Sequence, residues 1–292
     1  MAMVQAMPVA VVARMINEWD TRLWRVIHYY VEAARDRADH AEVTSVAFDE
    51  TASRRGHNYV SLFVDLMRRR VLFVAEGKDA GTVDAFATDL AAHGGNPEAV
   101  AEVCIDMSPA FIAGTAQSLP TAQITFDKFH VVKLINEAVD EVRRAEQKSR
   151  GELKKSRYLW LKNPRNLSER QHAQLDSLAA ANLKTGRAYR IRLAFQDLYL
   201  QPANNAEAFL KKWYWWATHS RLPPIIEAAC MVQRHWNGIL RWFHTRIANG
   251  IMEAVNSLVQ AAKAKARGYR STRNLKAIIY LIAGKLQFAL PT

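Results

Sequence analysis

SVAFDETASRRGHNYVSLFVDL, residues 45–66, decides the fold. A run of β-formers, VTSVAF (43–48), stops at Asp49, and NYVSLFVDL (58–66) is equally rich in β-branched and aromatic side chains. A third such run, VLFVAEG (71–77), follows Arg68, Arg69 and Arg70. Three β-rich runs joined by short polar connections predict an antiparallel meander.

Downstream the pattern changes. A helical stretch over roughly 79–93 leads to EVCI (102–105), which ends at Asp106; a helix starts near Ser108, then comes QITF (123–126) and a helix from about Lys128. Strands that alternate with helices need crossovers and pair in parallel. The expected fold class is therefore α/β, a mixed sheet with helices on its faces. Upstream, residues 8–35 read as two helices around a short turn, with Pro8 opening the first and Asp20 capping the second. This is either a helix-turn-helix, with Arg22 and Arg25 where that motif meets a DNA groove, or an amphipathic pair packed on the next domain.

Residues 150–245 carry helical periodicity, few strand signals, and the rings of Trp213, Tyr214, Trp215, Trp216, Trp236 and Trp242. They read as an all-helical insertion whose aromatics form a core or stack on exposed bases. The last segment, NGIMEAVNSLVQAAKAKARGYR (249–270), reads as a helix with Asn249 as N-cap that stops near Gly268, followed by a second helix over about 272–286.

The chain has 292 residues, half of them apolar, enough for a substantial core. Its 40 Lys and Arg exceed 28 Asp and Glu, for a net charge of +12, which favours a polyanionic partner. Cys104 and Cys230 are far apart, so neither a disulfide framework nor a zinc knuckle is indicated, and a reducing cytoplasm is expected. Neither a secretory leader nor a membrane span is legible.

Asp49 and Asp106 each stand at the end of a predicted buried strand, where α/β sheets carry functional groups. Adjacent strand ends bring two carboxylates together, and their repulsion is relieved by a cation between them. Mg²⁺ suits hard oxygen ligands. Glu253 supplies a third carboxylate at the head of a helical stripe with Asn256, Gln260, Lys263 and Arg267, while Val255, Leu258, Val259, Ala262 and Ala266 form the face expected to lie on the sheet. Lys263, Lys265, Arg267, Arg270 and Arg273 are either phosphate contacts or a solvated face. Glu50 alternates to the other side of its strand and is not counted as a ligand.

Four segments together, SVAFDETASRRGHNYVSLFVDL, CIDMSPAFIAG (104–114), ITFDKFHVVKLINEAVD (124–140) and NGIMEAVNSLVQAAKAKARGYR, carry a resemblance. Over about residues 8–288 the chain resembles the DDE transposases of bacterial insertion sequences, of the ISL-three type. The resemblance implies an RNase H-like domain with a helical insertion before the glutamate helix, and it matches Asp49, Asp106 and Glu253 to the three acidic positions. It implies two Mg²⁺ or Mn²⁺ ions for DNA cleavage and strand transfer at insertion-sequence ends. Asp127 and His130 match an Asp-x-x-His element of such enzymes, with Asn256 as a further supporting residue; a capping Asp with a hydrogen-bonded His is the plain alternative.

The expected organisation is a helix-turn-helix remnant (1–40), the first part of the catalytic core (41–148), the helical insertion (149–246), and C-terminal catalytic and basic helices (247–292). Expected partners are double-stranded DNA, as transposon ends and target, and a second copy in a homodimer; the expected location is the cytoplasm, at the nucleoid. Family members begin with a cysteine-rich zinc module, whereas this sequence has no cysteine before Cys104 and starts within the helix-turn-helix, as a truncated copy would. Two alternatives stand beside the enzyme: a decayed or truncated DNA-binding protein, and a structure-specific RNase H-like nuclease.

Overall fold

The computed structural model describes residues 1–54, 56, 58–247 and 250–290, so Asn249, the expected N-cap, lies outside the described residues. The chain clusters into two compact units, Met1–Ile124 with Ala248–Thr292, and Thr125–Ile247. The first holds the meander. Strands β1 (Ser45–Ala52), β2 (Tyr59–Asp65) and β3 (Arg70–Glu76) pair antiparallel, with Phe48 opposite Phe63 and Phe63 opposite Phe73. Their connection closes on Asp65, whose carboxylate accepts the N–H groups of Met67 and Arg68, both at 2.9 Å, while Arg69 takes a left-handed φ of 53°.

After α4 (Ala80–Ala92), β4 (Glu102–Ile105) joins β1 in parallel, and β5 (Gln123–Phe126) completes the sheet order β3-β2-β1-β4-β5. This is the α/β mixed sheet expected. Phe86 of α4 stacks on Phe63, with ring centroids 4.6 Å apart, and Phe111 of α5 (Pro109–Ser118) meets Phe48 edge-on. A Cβ at Gly114 would stand 2.8 Å from Val83 Cγ2 and 2.9 Å from the Ala80 carbonyl, so glycine is what lets α5 approach α4 this closely.

At the N-terminus α1 (Ala2–Ala6) precedes α2 (Val9–Met15) and α3 (Asp20–Asp36). Pro8 takes the N-cap position of α2, just before its first turn. Trp19, rather than Asp20, occupies the N-cap position of α3, and Asp20 instead places a carboxylate in the first turn, where the helix dipole favours it. Two C-terminal helices complete this unit, α13 (Gly250–Ala266) and α14 (Thr272–Ala283). The α13 helix stops as expected, at Arg267 (φ 55°) and Gly268 (φ 91°). Tyr280 of α14 covers the open edge of the sheet, its hydroxyl accepting the Val74 N–H at 2.9 Å and the Arg35 guanidinium at 2.8 Å.

The second unit is helical: α6 (Lys128–Glu146), α7 (Arg157–Leu161), α8 (Glu169–Ala180), α9 (Lys184–Leu198), α10 (Ala203–Thr218), α11 (Pro223–Arg234) and α12 (Trp236–Thr245). Its aromatics divide. Trp160, Trp213 and Trp242 are buried, and the indoles of Trp160 and Trp213 donate to Ser156 Oγ (3.1 Å) and the Ile191 carbonyl (2.9 Å), whereas Trp215 and Trp216 are exposed. Arg192 is also buried, its guanidinium held by Asn136 Oδ1 at 2.6 Å and the Leu161 carbonyl at 2.7 Å. Among the described residues no helix is long and apolar enough to cross a membrane.

Candidate active site

Asp106 directly follows β4, as expected, whereas Asp49 lies within β1, which runs on to Ala52 instead of ending there because residues 50–52 keep pairing with β2. The parallel register pairs Ser45 with Glu102, Val46 with Val103 and Ala47 with Cys104; continued two residues, it sets Asp49 level with Asp106. Neighbouring strands are about 4.8 Å apart and residues at one level share a face, so this register directs the two half-buried residues to the same face of the sheet on adjacent strands. Each is oriented by backbone: Asp49 Oδ1 accepts the Glu50 N–H and Asp106 Oδ1 the Ser108 N–H, both at 2.9 Å.

The helix α13 is sewn to the same strand. Asn256 Nδ2 donates to Asp49 Oδ2 at 3.0 Å, Gln260 Nε2 to Thr51 Oγ1 at 2.6 Å, and the Lys263 ammonium to the Ala52 carbonyl. Four helical residues rise about 6 Å and two strand residues about 6.6 Å, so helix and strand keep pace and run in the same direction. Glu253 stands one turn before Asn256 on that stripe, exposed and in the first turn of α13.

The seam revises the expected face of the helix. Met252, Val255 and Val259 are buried, Asn256, Gln260 and Lys263 turn towards β1, and Leu258, expected on the sheet, is 50 % exposed. Burial lowers the pKa of Lys263 below the usual amine value.

The profile of the ISL3-type DDE transposases, described as transposase, matches residues 46–279, which includes β1, β4 and α13. The chain belongs to this transposase family. It is 31 % identical over 242 residues to the transposase for insertion sequence element IS1001 of Bordetella parapertussis, covering 80 % of this chain and 59 % of that protein. It is 26 % identical over 269 residues to the transposase for insertion sequence element IS1557 of Mycobacterium tuberculosis, covering 82 % of this chain and 60 % of that protein. The chain thus spans about three-fifths of the length of the curated relatives it matches.

In this ISL3-type chain Asp127 and His130 belong to the helical unit. Asp127 is buried at the N-cap of α6, where it accepts the Phe129 N–H at 3.2 Å and meets His130 Nδ1 at 2.9 Å. That is the geometry of a capping Asp with its His on the same turn. Among the cations expected on DNA, Lys265, Arg267, Arg270 and Arg25 are exposed. Arg273 pairs with Glu32 and Arg22 with Glu18, at 2.8 and 2.7 Å, so both are partly engaged within the chain.

A cluster that sequence reading did not anticipate lies elsewhere in the sheet unit. Among the described residues, the His, Cys, Asp or Glu side chains whose ligand atoms all fall within 4.8 Å of one another are His40, Asp89 and His93. Asp49, Asp106 and Glu253 are not drawn that tightly together, as expected of three anions that repel one another. The His40 cluster reads as structural: Arg35 takes both Asp89 oxygens at 2.7 Å, and burial, then the charges of Arg70, His93 and Arg35, push His40 down to about 4. Two neighbouring guanidinium groups that repel a proton there repel a metal ion as well.

Proposed function

We propose that the chain is the catalytic part of a transposase that cuts and joins DNA at insertion-sequence ends, with Asp49, Asp106 and Glu253 holding two divalent cations, Mg²⁺ or Mn²⁺. The observation that carries this reading is the parallel β1–β4 register, which continued two residues sets Asp49 level with Asp106, together with the hydrogen bond from Asn256 that ties Asp49 to the helix bearing Glu253. The donor set fits such ions: three carboxylates offer hard oxygens, and the Oδ1 of Asn256, whose amide donates to Asp49, is buried with no hydrogen-bond partner among the described residues. When bound, the cations supply Lewis acidity at the attacked phosphodiester and at the departing oxygen.

The chain's own groups do the positioning. The Glu50 N–H and Asn256 amide hold the two oxygens of Asp49, the Ser108 N–H holds Asp106, and the α13 N-terminus favours a charged Glu253. Exposed Lys265, Arg267 and Arg270 take phosphates further along α13. Lys263 fixes the helix to β1, and Asp127 with His130 order the start of α6. In this reading the sheet is RNase H-like, residues 149–246 with α7 to α12 form its helical insertion, residues 1–40 are a helix-turn-helix remnant, the partner is double-stranded DNA bridged by a homodimer, and the location is the cytoplasmic nucleoid.

The test is incubation of the purified chain with end DNA and Mg²⁺ or Mn²⁺, with Asp106→Asn beside it. Nicked ends and strand-transfer products that vanish in the variant support the proposal. Cleavage without joining, even from a pre-cleaved end, makes it a nuclease; no products from either protein make it a decayed DNA-binding copy.

A further inference from the structure

The net charge of +12 is unevenly divided. Residues 125–247 contain 22 Lys and Arg against 11 Asp and Glu, and the remainder of the chain contains 18 against 17. Almost the whole excess therefore belongs to the helical unit, and its densest part is 143–170, with ten cations against three acids. Lys148, Lys154, Lys155, Lys162, Arg165 and Arg170 of that run are exposed.

A cleft of about 580 Å³ opens in the same unit, walled by Asn163 and Arg165 from this run, Lys128 and Phe129 from α6, and Gln196 and Tyr199. Its chemistry is specific. Phe129 is 52 % exposed although it is a large aromatic, and Lys128 Nζ stands 5.7, 5.8 and 5.4 Å from the ring centres of Phe129, Tyr199 and Trp242. Tyr199, more than nine-tenths buried, forms the wall of the cleft behind these side chains.

We infer that this cleft binds an unpaired nucleotide of a DNA strand whose backbone follows the basic run 143–170, a reading that rests on the chain being a DNA-acting transposase. The ring of Phe129 offers a stacking face, which a base can use only when it is outside a duplex. Lys128 and Arg165 match a phosphate, and the amides of Asn163 and Gln196 each carry both a donor and an acceptor for a base edge. Asp197 on the rim is the one acid of the lining, and it accepts from exocyclic amines. The volume lies within the range of small-ligand sites, about 300–1,000 Å³.

The test uses the full chain in EDTA with a fluorescein-labelled thymidine 15-mer and the same strand carrying one 2-aminopurine. Fluorescence anisotropy should report single-strand binding and 2-aminopurine quenching should report stacking. Phe129→Ala, at a half-exposed position, should weaken single-strand binding about tenfold and abolish the quenching while leaving affinity for a 15-base-pair duplex within about twofold. Arg165→Glu should weaken single-strand binding without removing the residual quenching at saturation. If both variants bind and quench as the parent does, the cleft is not a nucleotide site. If quenching is intact in the parent but end DNA is neither cut nor joined, the transposase reading fails and the cleft assignment stands.

Discussion

The two units of this chain hold very different charge. The sheet unit, with 18 cations against 17 acids, is close to neutral and carries the three candidate ligands; the helical unit, with 22 against 11, carries the cationic excess. The difference separates two physical tasks. Holding divalent ions needs carboxylates at fixed positions, and it gains from hydrogen bonds that set individual oxygens. Gripping a phosphate backbone needs many exposed cations and little geometry, because counterion release is additive and insensitive to sequence.

The largest effect is expected where geometry matters most. Asp49→Asn or Asp106→Asn removes an anionic ligand while keeping the shape of the side chain, so cleavage of end DNA should fall by about a thousandfold or more, with DNA affinity in EDTA unchanged. Equal losses of affinity and activity would mean that these residues serve binding, and the comparison would break. Asn256→Ala leaves the ligands but removes the amide that donates to Asp49 Oδ2. Outer-shell substitutions cost about 10–100-fold in metal affinity or activity, so a raised Mg²⁺ requirement, relieved at high Mg²⁺, is the expected result in a titration of rate against metal.

Much of this geometry is absent from the sequence for identifiable reasons. The strands are legible because β-branched runs end at Asp49, at Asp65 and next to Asp106, and the acids at strand ends invite a metal reading. The level pairing of Asp49 with Asp106 is not legible, because the offset between β1 and β4 is set by backbone hydrogen bonds between segments some 50 residues apart. The face of α13 is legible in part: Val255 and Val259 are buried as periodicity predicts, whereas the hydrogen bonds from Asn256, Gln260 and Lys263 to Asp49, Thr51 and the Ala52 carbonyl turn the helix towards β1 in a way that periodicity does not show. Leu258 is exposed as a result. In FDKFHV the spacing of Asp127 and His130 is the legible pattern, while Lys128 and Phe129 between them line the cleft; only exposure marks Phe129 out.

Stability offers a probe of the sheet unit alone. His40 is buried and its pKa is about 4 instead of 6.5, chiefly through burial and then through Arg70, His93 and Arg35. The unfolded chain therefore takes up a proton that the folded chain refuses. The neutral His40 contributes its full stability above about pH 6.5, and that contribution is lost as pH falls towards 4, on the order of 3 kcal/mol over the window. Urea unfolding of the parent and of His40→Gln at pH 7.5 and 4.5 should show the smaller pH dependence in the variant. Parallel curves would mean that His40 does not titrate in this window.

The smallest effect, and the sharpest on the division of labour, compares two pairs of exposed cations. Lys154 and Lys155 lie in the basic run of the helical unit, and Lys265 and Arg267 at the end of α13. Replacing either pair by Gln should lower the salt slope of duplex binding by a little under one for each phosphate contact removed. The kinetic consequences should differ. Loss of Lys154 and Lys155 weakens the grip, so more protein is needed to saturate the DNA but the rate at saturation holds. Loss of Lys265 and Arg267 alters how a strand lies along the helix that bears Glu253, and bound DNA should then be cut more slowly even at saturation. If both pairs change the saturated rate equally, grip and chemistry are not divided between the units, and the uneven charge is only a matter of solubility.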